Sequence, residues 1–429
     1  MRHRAELPNI GPNLSKPPAA RQPTNSLPVT ERRADHLFVN NVRFLSMAAV
    51  VALHCVGVLP PLCGIDGSSR SIHAMLQPFK FGTIGFFLIS GFLMGEGLSR
   101  SSSSAYLTRR LKTVFAPWLV WVAIYVGLLR AHRVMVGRLS VNSLHDYRML
   151  CELLQIALFD TAYWFVPNLM LAIGVLLLCR RFLYDLRLGC ALFGVSLFYG
   201  ANVYTQWLPI QSHTEALLGF VFYLWLGAWA AKNFDAFQAW SARIPAVVLI
   251  AMAALTGLAA FCEGELLSGS GALNTLRITT QVYSVVVVLA IFRARKALWP
   301  RALNVRTSTF GIYLAHSVVL ALFVNLARPM QIHGAAGKAW GTNQAYAVLI
   351  LAGAFITIYA GSLAITHFLL GRPHLCWMVG GSRLRGSVKR NIAEEVETPG
   401  RSFAFWPPSL MSSPASHAAL PTDSGGHGD

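Results

Sequence analysis

The segment FVNNVRFLSMAAVVALHCVGVL, residues 38–59, decides how this chain folds. It is almost entirely apolar, and it is as long as the roughly 20 residues that an α-helix needs to cross a bilayer. Only two of its side chains, Arg43 and His54, carry basic groups. The first prediction is therefore a membrane-spanning helix that holds two functional groups.

The remainder of the chain repeats this pattern. Hydrophobic residues make up 54% and charged residues only 13% of the 429 residues, which is more apolar sequence than a soluble domain buries. The sequence predicts an all-α polytopic membrane helix bundle with about ten transmembrane helices. The predicted spans cover residues 38–59, 76–98, 114–130, 162–179, 188–206, 214–231, 244–262, 275–292, 308–327 and 344–370.

The distribution of positive charge indicates the topology. In a soluble protein the formal net charge of +18 would suggest a nucleic-acid partner. Here 26 of the 36 Lys and Arg residues lie in the N-terminal segment, the even-numbered loops and the C-terminal tail, and only 7 lie in the odd-numbered loops. Because positive charge is retained on the cytoplasmic side in short loops, both termini are predicted to be cytoplasmic and no nucleic acid is expected.

Three regions follow from composition. Residues 1–36 are polar and proline-rich and lack the apolar run of a secretory signal, so they are predicted to form a disordered cytoplasmic arm. Residues 37–372 form the predicted transmembrane domain. Residues 373–429 are predicted to be a largely disordered cytoplasmic tail. The seven cysteines contain no CxxC pair and predict neither a metal site nor a disulfide framework.

Arg43 and His54 are separated by eleven positions, which on an α-helix is three turns plus about 20° and a rise of roughly 16 Å. They therefore share a face, with Arg43 in the predicted cytoplasmic half. Taken singly, snorkelling of Arg43 and a bond from His54 to a neighbouring helix explain them equally well. Together they suit an elongated anionic donor with its phosphates near Arg43 and its thioester at His54. A desolvated imidazole stays neutral, as a general base for a sugar hydroxyl must be.

A group of cations follows at the predicted cytoplasmic entry of the third span. The segment YLTRRLKTVFAPWLVW, residues 106–121, supplies Arg109, Arg110 and Lys112. The positive-inside rule alone is the more common explanation of such a group. Because it lies at the predicted level of Arg43, it also suits a diphosphate.

Several later residues have a structural and a functional interpretation. Tyr163 and Trp164 fall at the predicted outer interface, where aromatic belts are usual, and a sugar-stacking platform is the alternative. His316, in the middle of the ninth span, is more often a satisfied core histidine than a catalytic one. No Asp or Glu lies near the middle of any span, which argues against a proton relay. Small residues that allow close helix packing, and that a narrow donor tunnel would also need, occur in the second span at Gly82, Gly85, Gly91 and Gly95.

Five short motifs follow one another along the chain: NNVRFLSMAAVVALHC with Arg43 and His54, FGTIGFFLISGFLM with Ser90 and Gly91, TRRLKTVFAPW, AYWFVPNLMLAIGVLLL, and TFGIYLAHSVVL with Tyr313 and His316. With these motifs in this order, the sequence over about residues 36–372 resembles the acyltransferase 3 family of membrane-bound O-acyltransferases. The family commonly has two arginines three apart before the proline of the third span, whereas here Thr113 follows Arg110 at that distance, with Lys112 beside it.

The resemblance implies an acyl-CoA donor, most simply acetyl-CoA, with His54 as the essential histidine and no metal or permanently bound cofactor. It also implies carbohydrate or glycolipid acceptors at a bacterial inner membrane, with membrane lipids and other polysaccharide-assembly proteins as partners. The implied donor-binding residues are Arg43, Arg109, Arg110 and Lys112, and the supporting positions are Ser90, Trp164, Tyr313 and His316. A glycan or lipid transporter or flippase, and a non-catalytic scaffold, are the rival interpretations, because they would share the polytopic frame.

Overall fold

The computed structural model describes residues 29–59, 70–137, 147–210, 212–267, 270–327 and 344–381, and all regular secondary structure in these ranges is helical. Most of the predicted arm and of the predicted tail lies outside them. The helices are α1 (Val29–Val58), α2 (Arg70–Leu76), α3 (Phe81–Leu98), α4 (Ser103–Arg110), α5 (Ala116–Met135), α6 (Tyr147–Phe159), α7 (Phe165–Leu178), α8 (Leu186–Thr205), α9 (Val221–Lys232), α10 (Phe234–Ala242), α11 (Ala246–Leu266), α12 (Ser270–Leu273), α13 (Ile278–Phe292), α14 (Val305–Ala327) and α15 (Gln344–Leu370).

Within the described residues, eight helical segments are long and apolar enough to cross a membrane. A ninth is obtained if α6 and the segment Ala162–Leu178, which bend by 80° at their junction, count as one broken span. The chain is thus a polytopic helical bundle, as predicted, and its described residues contain eight or nine candidate spans where the sequence predicts about ten. The eight are Leu37–Val58, Arg70–Leu98, Ser103–Met135, Leu186–Thr205, Ala246–Leu266, Gly271–Phe292, Val305–Ala327 and Val348–Leu370.

The predicted sixth span, residues 214–231, shows why the count changes. Its only helix, α9, is 12 residues long, and Leu224 and Trp225 on it are buried inside the protein. A methyl group added at Gly91 of α3 would overlap the backbone carbonyl of Leu224. Apolar residues are needed both against lipid and inside a packed bundle, so composition alone does not distinguish the two environments.

The turn between α6 and α7 carries Tyr163 and Trp164, which the sequence places at the outer membrane interface. The Thr161 hydroxyl caps the turn by accepting the Tyr163 backbone N–H at 3.1 Å. The Tyr163 hydroxyl then donates to the Leu314 carbonyl of α14 at 2.8 Å, and the Tyr313 hydroxyl donates back to the Ala162 carbonyl at 2.7 Å. Tyr163 and Trp164 are only 0% and 7% exposed, so their predicted place in an outer aromatic belt is wrong. Paired hydrogen bonds to α14 hold this turn inside the bundle.

Helix α1 lies against both α3 and α14. Phe38 near its start contacts Phe92 near the end of α3, with ring centroids 5.9 Å apart, so these two helices are antiparallel. The predicted close packing at the small residues of α3 is confirmed. A methyl group at Gly82 would lie 2.9 Å from the Ser46 carbonyl oxygen, and one at Gly95 would lie 2.8 Å from the Ala228 carbonyl oxygen.

Folded structure extends beyond both predicted edges of the transmembrane domain. Helix α1 already begins at Val29. Beyond residue 372, Cys376–Val379 form a 3₁₀ turn, and the Trp121 indole N–H donates to the Met378 carbonyl at 3.0 Å. This bond attaches the start of the predicted tail to α5.

Candidate active site

A cavity of about 190 Å³ lies beside the C-terminal end of α1. Six separate parts of the chain converge on it: α1, the end of α2 with the first half of α3, the turn before α7, the segment before α9, the connection between α12 and α13, and α14. Its polar and aromatic lining includes His54, Lys80, Thr83, Trp164, His213 and Tyr313. The fold therefore brings three of the predicted site residues, His54, Trp164 and Tyr313, to one cavity.

Two imidazoles lie side by side at this level. The ring centroids of His54 and His316 are 5.3 Å apart. His316 Nδ1 lies 2.6 Å from the Tyr313 carbonyl oxygen and 3.2 Å from that of Ile312. Since carbonyl oxygens only accept hydrogen bonds, Nδ1 donates, and Nε2 of the neutral ring carries the lone pair. Within the described residues, Nε2 of both histidines is buried without a hydrogen-bond partner.

Cations meet at a second level, toward the other end of α1. Arg43 lies within electrostatic range of Arg110, Arg306 and Glu96, so the predicted proximity of Arg43 and Arg110 is confirmed. Arg306 is an exposed residue in the first turn of α14. Since Arg43 lies near Arg306 and His54 near His316, α1 and α14 run parallel. Eleven positions separate Arg43 from His54 on α1, and ten separate Arg306 from His316 on α14. On each helix this spacing corresponds to a rise of about 15 Å.

The predicted donor-binding cations that follow α3 have different surroundings. The Arg109 and Arg110 guanidinium carbons lie 5.4 Å and 5.0 Å from the centroid of the Tyr106 ring, and Arg110 Nε donates to the Tyr106 hydroxyl at 3.0 Å. Lys112 is exposed in the π-helical turn Leu111–Phe115, and no described contact joins it to Arg43. Pro117, which lacks an N–H, follows this turn, and π-helical turns are frequent at functional sites.

Ser90, by contrast, is not brought to the cavity. It is partly buried on α3 and is absent from the residues that line the space around His54. Its neighbour Gly91 has a clear structural part, because it provides the close contact with α9 described above. The motif that contains both residues therefore acts here through helix packing.

The aromatic side of the cavity is built by the segment before α9. The Asn168 side-chain amide of α7 donates to the Ala216 carbonyl at 3.2 Å and so fixes this segment. The rings of Trp164 and His213 then meet edge to face, with centroids 5.3 Å apart. Burial, and secondarily the positive charge of Lys80, lowers the pKa of His213 to about 3. His213 is thus a neutral hydrogen-bonding group in the cavity wall.

Three residues of these two levels were missed by sequence reasoning. These residues are Lys80, Arg306 and His213. Only the position of Lys80 within an apolar run was a usable signal, because ionisable groups at such positions are functional candidates. The positions of His213 and Arg306 depend on which helices become neighbours.

The family comparison agrees with this arrangement. The family model described as "Acyltransferase domain" matches residues 36–366, which is most of the chain. The chain belongs to the acyltransferase 3 family. It is accordingly a multi-pass membrane acyltransferase. No curated protein and no solved structure matches it.

The matched range contains both the cavity beside His54 and the group of cations around Arg43. It begins before Arg43 and ends after His316, so every predicted site residue lies inside the matched range. Among the described residues, no group of three His, Cys, Asp or Glu side chains could hold a metal ion. The candidate site consists of the histidines, the cations and the aromatic wall described above.

Proposed function

We propose that this acyltransferase transfers an acyl group, most simply acetyl, from cytoplasmic acyl-CoA to a hydroxyl of a surface glycan or glycolipid in the bacterial inner membrane. One observation carries the proposal. His54, whose buried Nε2 has no hydrogen-bond partner among the described residues, lines the cavity, while the same helix presents Arg43 to a second cationic group about 16 Å away. This spacing suits a long donor with charge at one end and a thioester at the other.

The cationic level is the proposed binding site for the phosphates of CoA. Arg110 and Arg306 both lie within electrostatic range of Arg43, and among the described residues Glu96 is the acid that acts on Arg43. Guanidinium groups bind phosphate oxygens in a bidentate way, which makes such a cluster selective for diphosphates. Arg109, which lies over the Tyr106 ring, and the exposed Lys112 extend the positive surface at the entrance.

At the second level His54 acts on the acceptor. Its Nε2 takes the proton of the acceptor hydroxyl as the hydroxyl oxygen attacks the thioester carbonyl. Collapse of the tetrahedral intermediate breaks the carbon–sulfur bond, and the protonated His54 returns the proton to the departing thiolate. The products are the O-acyl ester and free CoA thiol. The alternative is an acyl group carried transiently on His54.

The cavity wall supports a carbohydrate acceptor. Trp164 and Tyr313 present aromatic rings to the same space as His54, and Thr83 and His213 add groups that can form hydrogen bonds. An aromatic surface with a few polar groups is a common way to bind a molecule that has both apolar and hydroxyl faces. The aromatic wall is therefore proposed as the acceptor side of the site.

Two measurements test this function. Purified protein given acetyl-CoA should release CoA thiol only when a glycan acceptor is added, whereas a transporter or flippase would move glycan without releasing thiol. Mass analysis of surface and secreted glycans from cells with and without the gene should show an acyl mass difference. Equal glycan masses together with no acceptor-dependent thiol release would exclude the proposal.

The acyl-histidine route is tested separately. Purified protein is incubated with radiolabelled acetyl-CoA without acceptor and then quenched. Label retained on the protein, and lost in His54→Ala, indicates a covalent intermediate. Full transfer activity without any retained label indicates direct transfer with His54 as the base.

A further inference from the structure

A second buried cation shares the cavity with His54. Lys80 precedes α3, lines the cavity and is only 4% exposed. Its ammonium donates to the Ala272 carbonyl at 3.2 Å. Because α3 is antiparallel to α1, Lys80 lies toward the His54 end of the site and away from the cationic level around Arg43. The proposed donor phosphates therefore do not account for Lys80.

The carboxylate that acts on Lys80 among the described residues, that of Glu263, is already engaged by another residue. Arg277, 1% exposed, lies 3.8 Å from Glu263 and donates to the Ala260 carbonyl at 2.7 Å and to Gln77 Oε1 at 3.0 Å. Glu263 also accepts hydrogen bonds from the hydroxyls of Tyr204 and Thr279. Both Glu263 and Arg277 act electrostatically on Lys80, so two buried cations share one carboxylate.

An excess of buried positive charge is unfavourable unless an anion compensates it. Within the described part of the chain, the ammonium of Lys80 has one carbonyl acceptor and no ion pair of its own. It has three N–H donors, and at most one is used by Ala272. The remaining donors and the uncompensated charge are available at the wall of a cavity that a substrate is proposed to enter.

We infer that Lys80 is the counter-ion for a carboxylate group of a substrate bound in the cavity beside His54. The inference rests on the proposed acyl transfer and makes it more specific. Thr83, Thr275 and His213, which line the same cavity, supply neutral hydrogen-bonding groups around the anion. The anion has two sources: an acidic group on the acceptor, or the distal carboxylate of a dicarboxylic acyl chain such as succinyl.

Binding to the purified full-length protein tests this site with matched probes. The donor pair is succinyl-CoA and acetyl-CoA, and the acceptor pair is an oligosaccharide that contains glucuronate and a neutral glucan of the same length. We expect at least one acidic probe to bind tenfold or more tightly than its neutral counterpart. Preference within the donor pair assigns the anion to the acyl chain, and preference within the acceptor pair assigns it to the glycan.

Three variants complete the test. Lys80→Met should abolish the preference by weakening binding of the acidic probe, whereas Lys80→Arg should retain most of it. Lys296→Met removes an exposed lysine from the α13–α14 loop and should behave as wild type. Wild-type protein without preference in either pair, or a preference that persists in Lys80→Met, overturns the inference. Acceptor-dependent thiol release from acetyl-CoA is measured in parallel, so that loss of this assignment is distinguished from failure of the proposed function.

Discussion

The imidazole rings of His54 on α1 and His316 on α14 lie 5.3 Å apart, at an interplanar angle of 43°. One is in the wall of the cavity, and the other is fully buried behind it with Nδ1 bonded to its own helix. The two rings thus differ in environment although the helices that carry them are parallel. This difference separates the proposed catalytic residue, His54, from the fully buried His316 beside it.

Two substitutions at His316 test whether its side chain has a structural role or takes part in the reaction. Asn places a side-chain N–H near the position of Nδ1 and can keep the bond to the Tyr313 carbonyl, whereas Gln keeps only the outer nitrogen. We expect His316→Asn to keep most of the activity and a melting temperature near that of wild type. His316→Gln should be less active and melt at a lower temperature, because the buried hydrogen bond to the Tyr313 carbonyl is broken at a cost of about 1–3 kcal/mol. Initial rates and thermal unfolding in detergent are the measurements. An inactive, fully folded His316→Asn would show that Nε2 takes part in the reaction.

Removal of Arg43 should weaken donor binding. Arg43→Gln is expected to raise the apparent KM for acetyl-CoA by about 10- to 100-fold with a small change in kcat, because a charge-assisted bond to phosphate contributes about 1.5–3 kcal/mol. Arg306→Gln should act in the same direction. Arg301→Gln, an exposed cation before α14, is the matched control. An unchanged donor KM in Arg43→Gln would remove its assigned role.

The aromatic wall predicts a selective effect on the acceptor. Trp164→Ala should raise the KM for the glycan about three- to tenfold, since an aromatic contact of this kind contributes about 0.5–1.5 kcal/mol. The KM for acetyl-CoA should stay the same, and Trp164→Phe should preserve most acceptor binding. Steady-state kinetics with each substrate varied in turn provide the check. Equal changes in both constants would mean that Trp164 only supports the fold.

The close approach of α3 and α9 predicts a loss of stability. Gly91→Ala and Gly227→Ala would each place a methyl group against the backbone of the neighbouring helix, at the carbonyls of Leu224 and Leu88. Overpacking of this kind costs about 1–3 kcal/mol or more, so the melting temperature in detergent should fall. Gly174→Ala, where no atom lies within 4 Å of the added carbon, should unfold as wild type does. Equal melting temperatures for all three variants would contradict the observed packing.

Much of this fold was accessible from the sequence because lipid imposes a strong constraint on composition. Runs of about 20 apolar residues located α1, α8, α13 and α14 as spans, and small residues predicted the tight face of α3. The same reasoning failed at α9, where apolar residues face protein. It failed at Trp164 as well, because hydrogen bonds between the 162–164 turn and α14 place that turn inside the bundle.

The candidate site was predictable only where its residues share one helix. The spacing of Arg43 and His54 follows from helix geometry. The pairing of Arg43 with Arg306, and of His54 with His316, depends on the parallel packing of two helices about 260 residues apart in the chain, which no local pattern encodes. Lys80 and His213 reach the cavity from a 3₁₀ connection and a non-helical segment, whose positions hydrophobic periodicity does not describe.

Acceptor-dependent release of CoA thiol by His54→Ala is the most direct measurement of the central claim. The protein should insert, express and melt as wild type, while transfer falls by about 10²–10⁴-fold because the general base is lost. His374→Ala, which removes an exposed histidine from the turn after α15, should retain full activity. Wild-type rates of thiol release from a correctly folded His54→Ala would contradict the account.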